Sequence, residues 1–347
     1  MTEPHRFGRY TTGSEALDRD LAELVRTHAV DDEDLIYELL VTSLRLAEDH
    51  PNRGDLKIAT IAVKEMRRAF AAFAPYREVR KATIFGSART APHDPLYLLT
   101  VELARRLAER DWMVITGAGP GIMRAGVEGA GVDHSFGVSI RLPFETPAPE
   151  FDADRSRLIP FRYFFTRKLM FMKESSGFVL LPGGFGTLDE CFELLTLLQT
   201  GKSVPAPVVL LDTPGGTYWS RWVAFIEAEL SGDYISPGDL DLVRVTDDVD
   251  VAVAEITGFH SNYDSIRFIE GRLVIRLRKA PDDAALAALT ERYTDILRSG
   301  SIERTTADAR EVAEGDRVDL DRLTLDFDRR HWARLRHLID DLNADAS

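Results

Sequence analysis

The sequence predicts an α/β protein: a doubly wound, Rossmann-like parallel sheet with an N-terminal helical segment and a small C-terminal α+β unit. Two observations carry that reading. Between residues 79 and 259 short apolar runs alternate with helix-period stretches, the pattern of strands joined by crossover helices. Three of the runs end in small-residue turns: GSA at 86–88, TGAGPG at 116–121 and PGGFG at 182–186. Ligands of such sheets bind outside the carboxyl ends of the strands, so these turns are expected to converge on one crevice.

Residues 1–78 read as helical. Leu17, Leu21, Leu24 and Val25 share a face, Leu35, Leu39, Leu40 and Leu44 form a second stripe, and Ile58, Ile61, Met66, Phe70 and Phe73 a third. This segment carries no catalytic pattern, and packing is its expected role. In the 79–259 segment, strands are expected at 82–85, 113–115, 136–140, 178–181 and 207–211, with a shorter one at 242–245. Helices are expected at 96–107, 163–173 and 219–230. The 260–347 segment reads strand (273–277), helix (283–297), polar loop, strand (323–327), helix (331–342), an order compatible with a ferredoxin-like unit. Its loop 300–317 is rich in charge and is expected to be mobile.

Composition narrows the function. The 347 residues are 44% hydrophobic, enough for a proper core, and carry a net charge of −14. An acidic chain repels polyphosphate backbones, so nucleic acid is not an expected partner. The single cysteine allows no intrachain disulfide and no cysteine metal cluster, and the eight histidines form no HExxH pair. Neither a metal nor a cofactor is expected. No run of 18 apolar residues exists, and residues 1–7 lack an apolar signal core, so a cytoplasmic location away from membranes is expected.

The densest signal is LPGGFGTLDE at 181–190. A buried strand, a glycine turn and a helix N-terminus together make a phosphate cradle, because backbone N–H groups and the helix dipole both favour an anion there. For Gly183, Gly184, Gly186 and Thr187 phosphate binding competes with a plain turn. For Glu190 two readings stay open. It is a site carboxylate, or it reaches back to a backbone N–H in a TxxE capping box with Thr187. Arg167 and Lys168 are a solvated pair, or Arg167 turns into the crevice to hold a phosphate or ribose. The turn at 117–121 is a weak dinucleotide fingerprint: it follows the second strand, and the third strand does not end in an acid. A nucleotide-contacting turn is the preferred reading. Cys191 reads as a buried small hydrophobe.

Taken together, RK at 167–168 and PGGFGTLDE at 182–190, 190 − 167 = 23 residues from Arg to Glu, resemble the RKxxM…PGGxGTxxE signature of the Lonely Guy family. TGAGPGIM at 116–123 resembles its GGxxGLM turn, and FGSA at 85–88 its GSS turn. Phe171 stands where short members carry Met, and Ala88 replaces a Ser. The resemblance covers roughly residues 80–258 and implies a phosphoribohydrolase, which splits a nucleoside 5′-monophosphate into free base and ribose 5-phosphate. It implies Arg167 and Glu190 as the catalytic pair. Gly183, Gly184, Gly186 and Thr187 are implied at the 5′-phosphate, Ser87, Gly119 and Met123 along the nucleotide, and Lys168 among the substrate- and phosphate-binding residues. The family is often described as lysine decarboxylases, although its motif encodes no pyridoxal phosphate chemistry. Members usually form dimers or larger homo-oligomers. A molybdenum-cofactor carrier or a nucleotide sensor of the same fold is the alternative.

Overall fold

In the computed structural model the described residues are 10–28, 31–141, 151 and 155–345. The leaderless reading of residues 1–7 falls outside them. They divide into two units, residues 1–64 and 65–347.

In the first unit α1 (Glu15–His28) packs against α2 (Glu33–Glu48). Ala22 and Val25 meet Tyr37 and Val41. The Tyr37 hydroxyl donates to buried Asp18 at 3.1 Å. Leu24, Leu35 and Leu39, assigned to packed stripes from sequence, are 48–59% exposed. The α2 sequence LIYELLVTSL is apolar around most of its circumference, so periodicity alone selects no face. The Tyr37–Asp18 contact lies on the side that is packed. The helix α3 (Arg53–Phe73) runs across the boundary into the second unit.

The second unit opens with a seven-stranded, all-parallel sheet: β1 (Lys81–Phe85), β2 (Met113–Thr116), β3 (Ser135–Ile140), β4 (Leu158–Phe161), β5 (Gly177–Leu180), β6 (Val208–Leu211) and β7 (Arg244–Thr246). Its order is β4-β3-β2-β1-β5-β6-β7. The chain builds outward from β1 to β4, then returns to lay β5 on the other side of β1, so the topological switch lies between β1 and β5.

Alternate residues of each strand face opposite layers. Phe178, Leu180, Val208 and Leu210 pack with Met170, Leu194, Trp219 and Trp222 on one face. Val179, Leu181, Val209 and Leu211 pack with Leu103, Leu107, Val253 and Ile256 on the other. Helices α4 (Pro95–Ala108), α5 (Ile122–Ala130) and α9 (Val249–Gly258) cover this second face. The end of α3 together with α6 (Phe164–Glu174), α7 (Phe185–Gln199) and α8 (Tyr218–Glu229) covers the first. Asp94 caps α4, its side chain accepting from the Leu96 N–H at 2.9 Å, with Pro95 at the first helical position.

The C-terminal portion forms an antiparallel sheet of order β10-β11-β9-β8. Its strands are β8 (Tyr263–Ile269), β9 (Arg272–Leu277), β10 (Leu297–Thr305) and β11 (Asp321–Phe327), with helices α10 (Asp283–Arg292), α11 (Ala309–Glu314) and α12 (Trp332–Ala344). It begins with the β8–β9 hairpin, which the ferredoxin-like expectation lacked. Much of the stretch 300–317, expected as a mobile loop, is strand β10 and helix α11. Its charges are consumed internally: Glu311 is fully buried between Arg276 and Arg322. A buried charge held by paired guanidiniums fixes a segment that would otherwise be solvated.

This sheet belongs to the same unit as the parallel one. His260 Nε2 lies 2.8 Å from the Ser176 carbonyl oxygen, and Arg80 pairs with Asp264 at 3.1 Å. Gly201, at φ +65°, lies flat against the Trp332 ring, which a Cβ would overlap. Gly201→Ala is therefore expected to destabilise the second unit by about 2 kcal/mol or more, from left-handed strain plus overpacking. Urea denaturation checks this, and an unchanged midpoint would refute the tight docking of α12.

Candidate active site

The turns after β1, β2 and β5 line one crevice of about 790 Å3 at the switch point. Two turns are locked by backbone. The Ile122 N–H donates to the Ser87 carbonyl at 3.1 Å, and Gly121 (φ +67°) lies so close to Ser87 that any Cβ would strike that oxygen. Gly117 is packed under Arg167 and Met123. The glycines here therefore serve close approach of chain to chain.

The third turn differs. Gly183 is held by its neighbours: a Cβ there would overlap the Thr187 side chain, and its carbonyl accepts the Tyr218 hydroxyl at 2.7 Å. Gly184 and Gly186 face open space, with nothing within 4 Å of an added Cβ. Neither is in the left-handed region. Packing against the rest of the protein explains neither glycine, and both leave the backbone of the turn open to the crevice.

The helix α7 begins at Phe185, with Gly184 as its N-cap and no side-chain cap. Thr187 is thus the third residue of the helix and Glu190 the sixth, so the TxxE capping box does not form. First-turn amides have no intrahelical partner, and here they border the crevice.

Glu190 lines the crevice yet is 7% exposed, and its Oε2 has no hydrogen-bond partner. Burial pushes its carboxyl up to about 7, against the opposing pull of Lys168 and Arg167. A carboxyl poised there exchanges a proton at neutral pH. Arg167 also lines the crevice. Its Nε donates to the Val138 carbonyl at 2.9 Å, and its guanidinium sits 5.1 Å from the ring centre of Phe171. Phe171, the departure from the family's Met, is thus a buried support under Arg167. Thr166 hands its hydroxyl to buried Glu65 at 2.7 Å, which also accepts the Arg162 N–H at 2.6 Å and so fixes the head of α6.

Of the residues singled out from sequence, the structure brings Arg167, Glu190, Gly183, Gly184, Gly186, Thr187, Ser87, Gly119 and Met123 together in this crevice. Lys168 is not in the lining. It points to α7, paired with Asp189 at 2.9 Å and Glu193 at 2.5 Å. Cys191 is buried, and burial pushes its thiol up to about 12, leaving an inert packing residue.

Sequence reasoning gave no role to Tyr218, Glu65, Arg89 and the exposed rim residues Phe164 and Phe185. Of these Phe185 alone lies in a motif, at the variable position of the PGGxG turn. Tyr218 is 35 positions from the turn it holds, and only the fold brings it near. Tyr218→Phe is expected to raise KM several-fold while costing about 1 kcal/mol of stability, as a loosened cradle binds less well. Steady-state kinetics alongside urea denaturation separate the two effects, and an unchanged KM would exclude a role in shaping the turn.

Residues 119–256 match the family model described as possible lysine decarboxylase. Among curated proteins, the chain is 28% identical over 166 residues to a cytokinin riboside 5′-monophosphate phosphoribohydrolase of Mycobacterium tuberculosis, covering 47% of this chain and 86% of that one. It is 31% identical over 142 residues to a probable enzyme of the same name from Oryza sativa subsp. japonica, covering 40% and 64%. Among solved structures, a molybdenum cofactor binding protein from Rippkaea orientalis aligns at 16% identity and a TM-score of 0.38, over 52% of this chain and 96% of that one. The family model's description calls for a pyridoxal phosphate Schiff-base lysine, which the site does not offer: no lysine is among the described residues lining the crevice. The stretch that this family model matches takes in the glycine turn after β5 together with Arg167 and Glu190, and so resembles the Lonely Guy signature where the crevice is built.

Proposed function

We propose that this protein hydrolyses the N-glycosidic bond of nucleoside 5′-monophosphates, releasing free base and ribose 5-phosphate. The observation that carries the proposal is Glu190: a buried carboxyl with an unpartnered oxygen, beside a glycine turn whose backbone is open to the crevice. The names of the relatives point the same way.

The amides of the 184–187 turn and the N-terminus of α7 hold the 5′-phosphate. Arg167 holds ribose or phosphate oxygens. Breaking the C–N bond builds positive charge on the sugar. Glu190 offsets that charge or accepts a proton from the attacking water. The water oxygen bonds to the anomeric carbon, and the C–N electron pair leaves with the base, which takes up a proton. The remote phosphate grip orients the ribose for this step. A carrier of the same fold has no use for a buried carboxyl that titrates near neutral pH and keeps one oxygen unpartnered, so we take catalysis as the reading.

Incubation with AMP, GMP, CMP, UMP and isopentenyl-AMP, with chromatography of base and ribose 5-phosphate, tests the proposal. Release from monophosphates but not from the matching nucleosides is the expected result. No release from any of them overturns it. The fastest substrate separates cytokinin activation from general nucleotide breakdown. We further propose that the protein acts as a homo-oligomer in the cytoplasm. Phe164, Phe165 and Leu169 of α6 are about half exposed. Among the described residues no helix is long and apolar enough to cross a membrane.

A further inference from the structure

We propose that the second unit holds another ligand site, at the opposite edge of the parallel sheet from the crevice, which binds a small polyanion: a phosphorylated metabolite carrying two or more phosphate groups. A cavity of about 600 Å3 opens there. It touches Lys81 at the start of β1 and Ser175 and Ser176 just before β5, whereas the crevice touches Phe85 at the other end of β1. At about 3.3 Å per strand residue, the length of β1 keeps the two roughly 13 Å apart.

Six cationic side chains line this cavity: Arg77, Arg80, Lys81, Lys173, Arg278 and Arg317. Three acids line it, Glu78, Glu174 and Asp264, which leaves 6 − 3 = +3 in a chain whose net charge is −14. The acids are already engaged. Asp264 pairs with Arg80 at 3.1 Å, Glu78 with Arg317 at 2.9 Å and Glu174 with Lys173 at 2.5 Å. Lys81 is buried at 3% exposure, and among the described residues its ammonium donates to neutral carbonyls, of Tyr76 at 2.7 Å and Val79 at 2.9 Å. Arg77 and Arg278 have no ion-pair partner among the described residues, and both are exposed.

An anion entering this cavity would meet the buried Lys81 and the exposed Arg77 and Arg278, three lining cations with no ion-pair partner among the described residues, and burial makes the unpaired charge of Lys81 the costliest of them. The surplus of three matches a di- or triphosphate better than a monophosphate. The volume suits a nucleotide-sized molecule. Phe70, 44% exposed with the Lys173 ammonium 5.2 Å from its ring centre, offers a stacking surface at the rim. The crevice, by contrast, has just Arg89 and Arg167 as cations among its described lining residues, which fits a monophosphate.

Calorimetric titration of the full chain with inorganic tripolyphosphate tests the site, at low and at physiological salt. One equivalent is expected to bind, more weakly at the higher salt. Arg77→Glu combined with Arg278→Glu is expected to weaken binding tenfold or more, which is about 1.4 kcal/mol or more. Circular dichroism confirms that each variant is folded, and Arg77→Ala with Arg278→Ala serves if the reversals are not. Gly184→Val, in the crevice, is expected to leave tripolyphosphate binding unchanged. Absence of binding to the wild type overturns the proposal, as does binding that survives both arginine pairs or is lost on Gly184→Val. Heat of binding is read without turnover, so this site stands or falls separately from the hydrolase reading.

Discussion

Glu190→Gln is expected to lower kcat by a factor of about 10²–10⁴, the usual contribution of a positioned acid or base, with little change in KM. The same substitution is expected to stabilise the protein in alkaline solution. The folded carboxyl titrates at about 7 against 4.5 in the unfolded chain, so folding favours the protonated form. Its contribution is fully present below pH 4.5 and is lost as pH rises through about 7; above that the ionised carboxylate weakens the fold by about 2–3 kcal/mol. Glutamine carries no such charge. At pH 8.5 the variant should therefore melt several degrees above wild type, and at pH 5 the two should coincide. Wild-type turnover should rise through pH 7 and then level, as Glu190 becomes the carboxylate that acts. Near wild-type kcat in the variant would reduce Glu190 to a structural residue. Loss of turnover with no pH-dependent gain in Tm would mean that the carboxyl is not desolvated in solution.

Gly184→Val is the second large effect. A Cβ at this position meets no protein atom and requires no left-handed backbone. The variant should fold with an unchanged Tm, and its KM for nucleoside monophosphates should rise tenfold or more, about 1.4 kcal/mol or more of lost binding, because the branched side chain occupies the approach to the amides. Gly121→Val is the control of opposite kind: its Cβ would strike the Ser87 carbonyl within the protein, so it should lose stability first. Unchanged KM for Gly184→Val would remove the cradle from the mechanism.

Strands that are buried on both faces read clearly as apolar runs, and β1, β2, β3, β5 and β6 fall where those runs lie. The edge strand β4 did not: it is four residues long and contains Pro160, which an edge tolerates and a central strand does not. At the other edge Leu242 looked like the start of a strand. It is instead a core residue in the turn before β7, because only Arg244–Thr246 pairs with β6. The four-stranded C-terminal sheet was half legible: β10 carries exposed charges, and β8 buries Asp264 while exposing Phe268, so neither shows a clean alternation.

The sequence by itself determined the fold class, the three glycine turns and many of the residues that meet in the crevice. Strand–turn–helix order is local chemistry written in apolar period, glycine and proline. Only the tertiary structure decided what each residue does there. Whether Glu190 caps a helix depended on where α7 starts, and it starts two residues before Thr187. Whether Lys168 faces ligand or protein depended on Asp189 and Glu193 lying one helix away. Which glycines are needed by the chain and which are left open depended on contacts between turns far apart in sequence. Burial and charge environment are sums over neighbours that only folding brings together, and they set the titration of Glu190 and the surplus of cations at the far edge of the sheet.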